Sequence, residues 1–288
     1  MAAKALVLQG GGIRGVYTAG VLDVLLDEGI SFDAVYGTSA GSLNGMDFVS
    51  QDRGRTYQIY MKYMRSTRFV SITNWLFKGS LFDFDYLFNQ VAKKIPFHEE
   101  EFQKSQTEFT AVATCLEEGK AAYFSKSSCR DIYAAVAASS SLPRVTPKPV
   151  EIGGKHFLDG GPTDPIPYER AASDGYSKIV VVLTRPLGFR KREDGKPTKG
   201  TSKVKKMYRD YPAFWKAYAD WDAVYNQEMD VVEASGKEGK CLLIAPSRSI
   251  DLSLTKRGKK RLNEVYHLGI EDAKTILPAL RGYLSSGK

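Results

Sequence analysis

A chain of 288 residues with 43% hydrophobic side chains is long enough to bury a sizeable core, which excludes general disorder. Its 41 lysines and arginines outnumber 33 acids, and the net charge of +8 is a modest excess that suits anionic surfaces without requiring nucleic acid. Three widely spaced cysteines (Cys115, Cys129, Cys241) and three scattered histidines (His98, His156, His267) exclude a disulfide framework and argue against a metal centre, so reduced thiols and no cofactor are expected.

The N-terminal run from Met1 to Leu8 meets glycines too early for a signal peptide, and no apolar stretch reaches the roughly 20 residues of a membrane span. A soluble, cytoplasmic protein is expected. Ala5 to Gln9 predicts a short buried strand. Gly10, Gly11, Gly12, Ile13, Arg14 and Gly15 follow, and then Val16 to Leu26 carries apolar residues at helical spacing up to Gly29. A glycine loop between a strand and a helix offers bare amide hydrogens beside the positive end of the helix dipole, a place built for negative charge.

The next predicted strand, Ala34 to Tyr36, runs into Gly37-Thr38-Ser39-Ala40-Gly41 and a helix from Ala40 to about Phe48. Strand, sharp turn and helix around G-x-S-x-G is the context in which a serine hydroxyl is lifted clear of the backbone. Two strand–helix units within fifty residues argue for a parallel wound α/β sheet. From Tyr57 to Phe97 the chain is rich in rings. Phe84, Leu87, Phe88 and Val91 share one helix face, and Phe69 to Leu81 is a candidate lid or acyl-chain wall.

Thr107 to Leu116 and Ala121 to Ser125 read as strands joined at Gly119, with Ser128 as the expected cap of a helix from Arg130 to Ala138. Val150 to Ile152 and Lys155 to Leu158 flank Gly153-Gly154, a hairpin that delivers Asp159-Gly160-Gly161. A short helix is predicted over Tyr168 to Ala172 and a buried strand over Ile179 to Leu183. A basic mobile loop follows over 185–206, then a long helix from Tyr208 to Ala234 and a last strand from Cys241 to Ala245. Helices broken before Pro278 close the chain from Lys259 to Leu284. Nothing divides it, so one α/β domain over 1–288 is expected, helical over 207–288.

A serine alcohol attacks only when something accepts its proton, and the adduct needs donors aimed at its oxyanion. Ser39 is the candidate nucleophile and Asp159, uncrowded by the glycines after it, the candidate acceptor. In a parallel sheet the C-terminal ends of neighbouring strands lie together, so amides of Gly10, Gly11 and Gly12 are expected to form an oxyanion hole, aided by Ala40. Singly, a glycine-flanked serine and an Asp-Gly dipeptide are ordinary turns; the set carries the reading.

That set resembles the patatin-like phospholipases: Gly10 to Gly15 after the first strand, Gly37 to Gly41 after the second, and Asp159-Gly160-Gly161 preceded by the run Ala138 to Pro143. The resemblance covers roughly Leu6 to Pro167. It implies a three-layer wound, mostly parallel sheet with helices on both faces and the serine elbow after the second strand. It also implies a lipid acyl hydrolase of the phospholipase A or lysophospholipase type, acting on phospholipid or another acyl ester. A Ser39–Asp159 dyad would work without histidine or metal, with Arg14 helping to hold the glycine loop. Gly15, Gly37, Gly41, Gly160 and Gly161 would support the motifs, and alanine also occurs in the family at the position of Gly161, with no chemical consequence expected.

Three other readings compete. The order Ser39, Asp159, His267 is that of an α/β-hydrolase triad, although only one strand precedes this elbow. Gly10, Gly12 and Gly15 fit a dinucleotide-binding fingerprint with Asp33 as its acid, but Asp33 falls before the second strand and not at its end. A non-catalytic lipid-binding module would use the basic loop and the aromatic helix from Tyr208 to Ala234; in the enzyme reading the basic stretch from Arg185 to Arg209 is the candidate for transient contact with an anionic membrane.

Overall fold

The computed structural model describes residues 3–63, 90–146, 148–253 and 256–286. The first strand, β1 (Lys4–Leu8), is buried along almost its whole length because it lies inside a parallel sheet, where both faces are covered. A short 3-10 turn, Gly12–Arg14, leads into α1 (Gly15–Asp27). Then come β2 (Ala34–Thr38), α2 (Ala40–Val49) and α3 (Arg55–Tyr63). The short helices α4 (Ala92–Lys94) and α5 (Glu99–Lys104) precede β3 (Glu108–Cys115), β4 (Lys120–Ser125) and α6 (Ile132–Ser139). The chain continues through β5 (Val150–Ile152), β6 (Lys155–Asp159), α7 (Tyr168–Ser173), β7 (Lys178–Val182) and α8 (Thr201–Met207). It ends with α9 (Pro212–Lys237), β8 (Cys241–Ile244) and α10 (Lys259–Ser285).

The eight strands form one mixed, mostly parallel sheet in the order β5-β6-β3-β2-β1-β7-β8, with β4 also paired to β3. Alternation along the central strands makes the layers. Leu6, Leu8, Val35, Val180 and Val182 pack with α1, α2 and α10, whereas Ala5, Val7, Tyr36, Ile179 and Val181 pack with α7 and α9. Helices therefore cover both faces, as the wound α/β reading requires. On the first face α1 and α10 cross closely because two glycines meet there. A Cβ at Gly20 would strike the Tyr266 carbonyl oxygen, and one at Gly269 would strike that of Tyr17.

Register explains how residues so far apart in sequence reach one place. The first half of β3 pairs in parallel with β2, ending at Thr38 opposite Val112. Its second half pairs antiparallel with β6, placing Asp159 opposite Ala113. β4 runs alongside both halves and so occupies the other edge of β3. β6 thus takes over the edge that β2 vacates when it turns at Ser39, and the serine and aspartate follow one another along a single strand.

Some local expectations are corrected. α10 is one helix through Pro278, whose residue is exposed while Ala273 and Leu280 stay buried on the core side; solvent takes the bond that proline cannot make. Asp131, not Ser128, caps α6, its carboxylate accepting from the Ala134 amide at 2.9 Å, while Ser128 bonds Ser125. α9 begins at Pro212, a proline in the first turn, not at Tyr208. The segment 185–206 ends in α8, and Arg190 is pinned to Asp230 and Glu233 of α9. The expected lid from Phe69 to Leu81, with Phe84, Leu87 and Phe88, lies outside the described residues.

Candidate active site

Ser39 occupies the sharp turn between β2 and α2 with φ 57° and ψ −123°, a left-handed conformation costly for a non-glycine residue. The turn is over-determined by its surroundings. The Ser39 amide donates to Ser139 Oγ at 2.9 Å, and its carbonyl accepts from Ser42 Oγ at 2.7 Å and Ser140 Oγ at 3.2 Å. The glycines of the motif are steric necessities. A Cβ at Gly41 would collide with the Leu8 carbonyl oxygen, and one at Gly37 would come within 2.6 Å of the Gly41 and Ser42 backbone.

Asp159 ends β6 with its side chain 2.7 Å from the serine hydroxyl, which donates to Oδ2. Its other oxygen accepts the Gly161 amide at 2.8 Å. The residue is 1% exposed, and burial pushes its carboxyl up to about 6 against the lowering effects of Ser39, Gly161 and the Lys191 charge. Gly161 is more constrained than expected: a Cβ there would stand 2.7 Å from the Trp221 ring and 2.9 Å from Asp159 Oδ1. The loop that follows is tied down by Tyr123 on Asp164 and by Glu228, which accepts the Ile166 amide.

The glycine loop after β1 lies beside this pair, with one member reassigned. The Gly10 amide donates to the Pro165 carbonyl at 3.0 Å and is therefore committed to structure. Among the described residues the amides of Gly11, Gly12 and Ala40 take no protein acceptor. Arg14 holds the loop through its backbone, its amide donating to the Gly11 carbonyl at 3.2 Å, together with Tyr60, donating to the Gly12 carbonyl at 3.0 Å, and Thr184, donating to that of Gly10 at 3.3 Å. Its side chain faces the cavity, with Nε buried without a hydrogen-bond partner, and burial together with the Arg185 charge lowers it to about 10.

The cavity above Ser39 has a volume of about 510 Å³. One wall is apolar, made by Leu43, Met46 and Ile59 of α2 and α3 with Ile13 and Leu252. The opposite wall carries Arg185, Lys191, Trp221 and Tyr225. Lys191 lies over Trp221 and Tyr225, 3.5 Å from Asp222, and burial lowers it to about 8. Two rival readings lose their geometry. His267 is exposed on α10 against Tyr266 and does not line the cavity, and Asp33 is bonded to the Lys4 amide at the other end of β1 from the glycine loop.

Comparison with known proteins agrees with this frame. The model of the family described as patatin-like phospholipase matches residues 6–172, more than half of the chain. The chain belongs to the patatin-like phospholipase family. A second match, to a domain of unknown function, covers residues 211–285. Among curated relatives, the uncharacterized protein YjjU of Escherichia coli is 32% identical over 63% of this chain and 52% of its own length. Lysophospholipase NTE1 of Debaryomyces hansenii is 30% identical over 94% of this chain but 18% of its own length. The chain thus spans about half of the first relative and under a fifth of the second. The crystal structure of VipD from Legionella pneumophila superposes with a TM-score of 0.47 at 14% identity, covering 96% of this chain and 67% of that one.

Every motif residue of the patatin-like site falls within the matched segment, whereas Arg185, Lys191, Trp221 and Tyr225 fall beyond it. Sequence reading missed these four as site residues. A lysine in a basic loop and rings on a long helix look alike whether they face solvent, core or cavity. Ser139 and Ser140 were legible only as part of a run before the aspartate, not as supports of the elbow.

Proposed function

We propose that the protein is a lipid acyl hydrolase in which Ser39 attacks an ester carbonyl and Asp159 takes the serine proton. The observation that carries this reading is the 2.7 Å bond between the two side chains, with the serine held in a strained elbow. A buried carboxyl near 6 is ionised at neutral pH yet poised to accept a proton, which removes a charge from a desolvated place. The negative charge passes to the carbonyl oxygen, and the amides of Gly11, Gly12 and Ala40 are its donors. Asp159 then returns the proton to the departing alcohol, and a water molecule repeats the cycle on the acyl-enzyme.

Ser39→Ala is expected to abolish hydrolysis of a chromogenic acyl ester while the circular dichroism spectrum stays unchanged. Turnover that survives in the folded variant would refute the reading. No helix of the described residues is long and apolar enough to cross a membrane. The surface we propose for contact with lipid is the basic one of α8 and α9, where Lys205 and Lys216 flank the Trp215 ring and Met207 is exposed. Binding to vesicles rich in anionic lipid should weaken as salt rises, and salt-independent binding in a flotation assay would count against that surface.

A further inference from the structure

Three cations converge on the wall facing the apolar one, and only one has a carboxylate. Among the described residues neither Arg14 nor Arg185 forms an ion pair; Arg185 rests over the Phe189 ring at 4.4 Å, while Lys191 has Asp222 at 3.5 Å and also acts on Asp159. Asp47, across the cavity, is taken up by Arg55 at 2.6 Å. The elements that present them follow the strand order. β2 ends in Ser39, β1 in the glycine loop and Arg14, and β7 just before Arg185, so the amides lie between the nucleophile and the cations.

Desolvated guanidinium groups without a counter-charge are costly, and a bound anion would offset that cost. Guanidinium forks match phosphate oxygens two at a time. Asp222 and Asp159 both answer the Lys191 charge, which leaves the two guanidinium groups of Arg14 and Arg185 to face a ligand, and two positive charges suit a doubly ionised phosphomonoester better than a singly charged diester. On Trp221 and Tyr225 a choline cation would meet a like charge, because the Lys191 ammonium already lies over these rings at 4.3 and 4.7 Å.

We infer that Arg14, Arg185 and Lys191 form a phosphate subsite beside Ser39 that selects acyl esters bearing a phosphomonoester, such as an acylglycerol phosphate, over neutral and choline-capped esters. This rests on the hydrolase reading above. The acyl chain lies along Leu43, Met46 and Ile59, the carbonyl over Ser39, and the phosphate against the cations, two of which come from the segment after β7 that the family match does not include.

The test compares hydrolysis of 1-acylglycerol 3-phosphate, 1-acylglycerophosphocholine and 1-monoacylglycerol of one chain length in wild type, Arg185→Gln and Lys191→Met. Wild type should prefer the phosphomonoester by about tenfold or more in kcat/KM. Both variants should lose that preference through KM, by about ten- to a hundredfold, the effect of one charge-assisted hydrogen bond. Glycerol 3-phosphate and inorganic phosphate are tested alongside for binding to Ser39→Ala by calorimetry. Glycerol 3-phosphate should bind, and more weakly when Arg185→Gln is added. Binding of inorganic phosphate without any preference among the three lipids would mark a free-anion site and overturn the specificity. Equal rates on all three lipids with no phosphate binding would overturn the subsite while leaving the hydrolase intact. Phosphate binding in a protein that cleaves no ester would do the reverse. Should Arg185→Gln fail to fold, Lys191→Met and the wild-type comparison decide.

Discussion

The two sides of the cavity are made by different means. Around Ser39 the working parts are backbone: an elbow with positive φ, glycines that leave no room for a Cβ, and amides released by a loop. Behind β7 they are long side chains: Lys191, set by Trp221, Tyr225 and Asp222 of α9, and Arg185, resting on Phe189, which packs in turn on Tyr225. The first side is written in short glycine motifs, at three positions of which, Gly11, Gly37 and Gly41, a Cβ would collide with its neighbours. The second depends on contacts of Lys191 and Phe189 with α9, 30 residues or more along the chain.

The largest expected effect tests the backbone side through the carboxylate proposed to serve it. Asp159→Asn should lower kcat for ester hydrolysis by about a hundred- to ten-thousandfold, the range for removal of a general base. In the wild type kcat/KM should rise with pH through about 6 and then level, because only the ionised carboxylate accepts the proton. The same shift makes a stability statement of opposite sense. A folded-state carboxyl raised from 3.8 to about 6 contributes stability below the unfolded value, and that contribution is lost as pH climbs through about 6. Asp159→Asn should therefore melt higher than wild type at pH 8, with the gap closing towards pH 4. A pH-independent melting difference would show that burial does not perturb this carboxyl.

Next in size is the loop. Gly11→Val would drive a side chain into Thr184, whose Oγ1 would lie 2.6 Å from the new Cβ, and would displace the amides flanking it. Loss of one oxyanion donor typically costs about a hundred- to a thousandfold in kcat, and that loss with KM nearly unchanged is expected. A variant that keeps wild-type kcat would remove the glycine loop from the mechanism and leave Ala40 as the donor.

What was readable in the sequence follows the same division. The elbow, the glycine loop, the hairpin to Asp159 and the layered sheet announce themselves because glycine spacing and apolar alternation encode backbone geometry directly. Gly10 was misassigned because a motif gives membership of a loop but not which atoms the fold has already spent, here the Gly10 amide on Pro165. Pro278 misled for a related reason. Local propensity broke the helix, whereas burial of Ala273 and Leu280 on either side carries it through. Arg185 and Lys191 had no periodic signal at all; their roles exist only once α9 is folded over β7.

The smallest expected effect discriminates between a dyad and a triad. His267→Ala should leave kcat, KM and the pH profile within about twofold of wild type, as surface substitutions usually do. The histidine is exposed on α10, and both oxygens of Asp159 are occupied, one by the Ser39 hydroxyl and one by the Gly161 amide. A histidine inserted between serine and aspartate would need the 2.7 Å contact to open and α10 to leave α1, against which Gly20 and Gly269 let it pack with backbone nearly touching. A loss of several orders of magnitude in kcat would mean that such a rearrangement occurs, and that the direct bond between serine and carboxylate belongs to a resting state only.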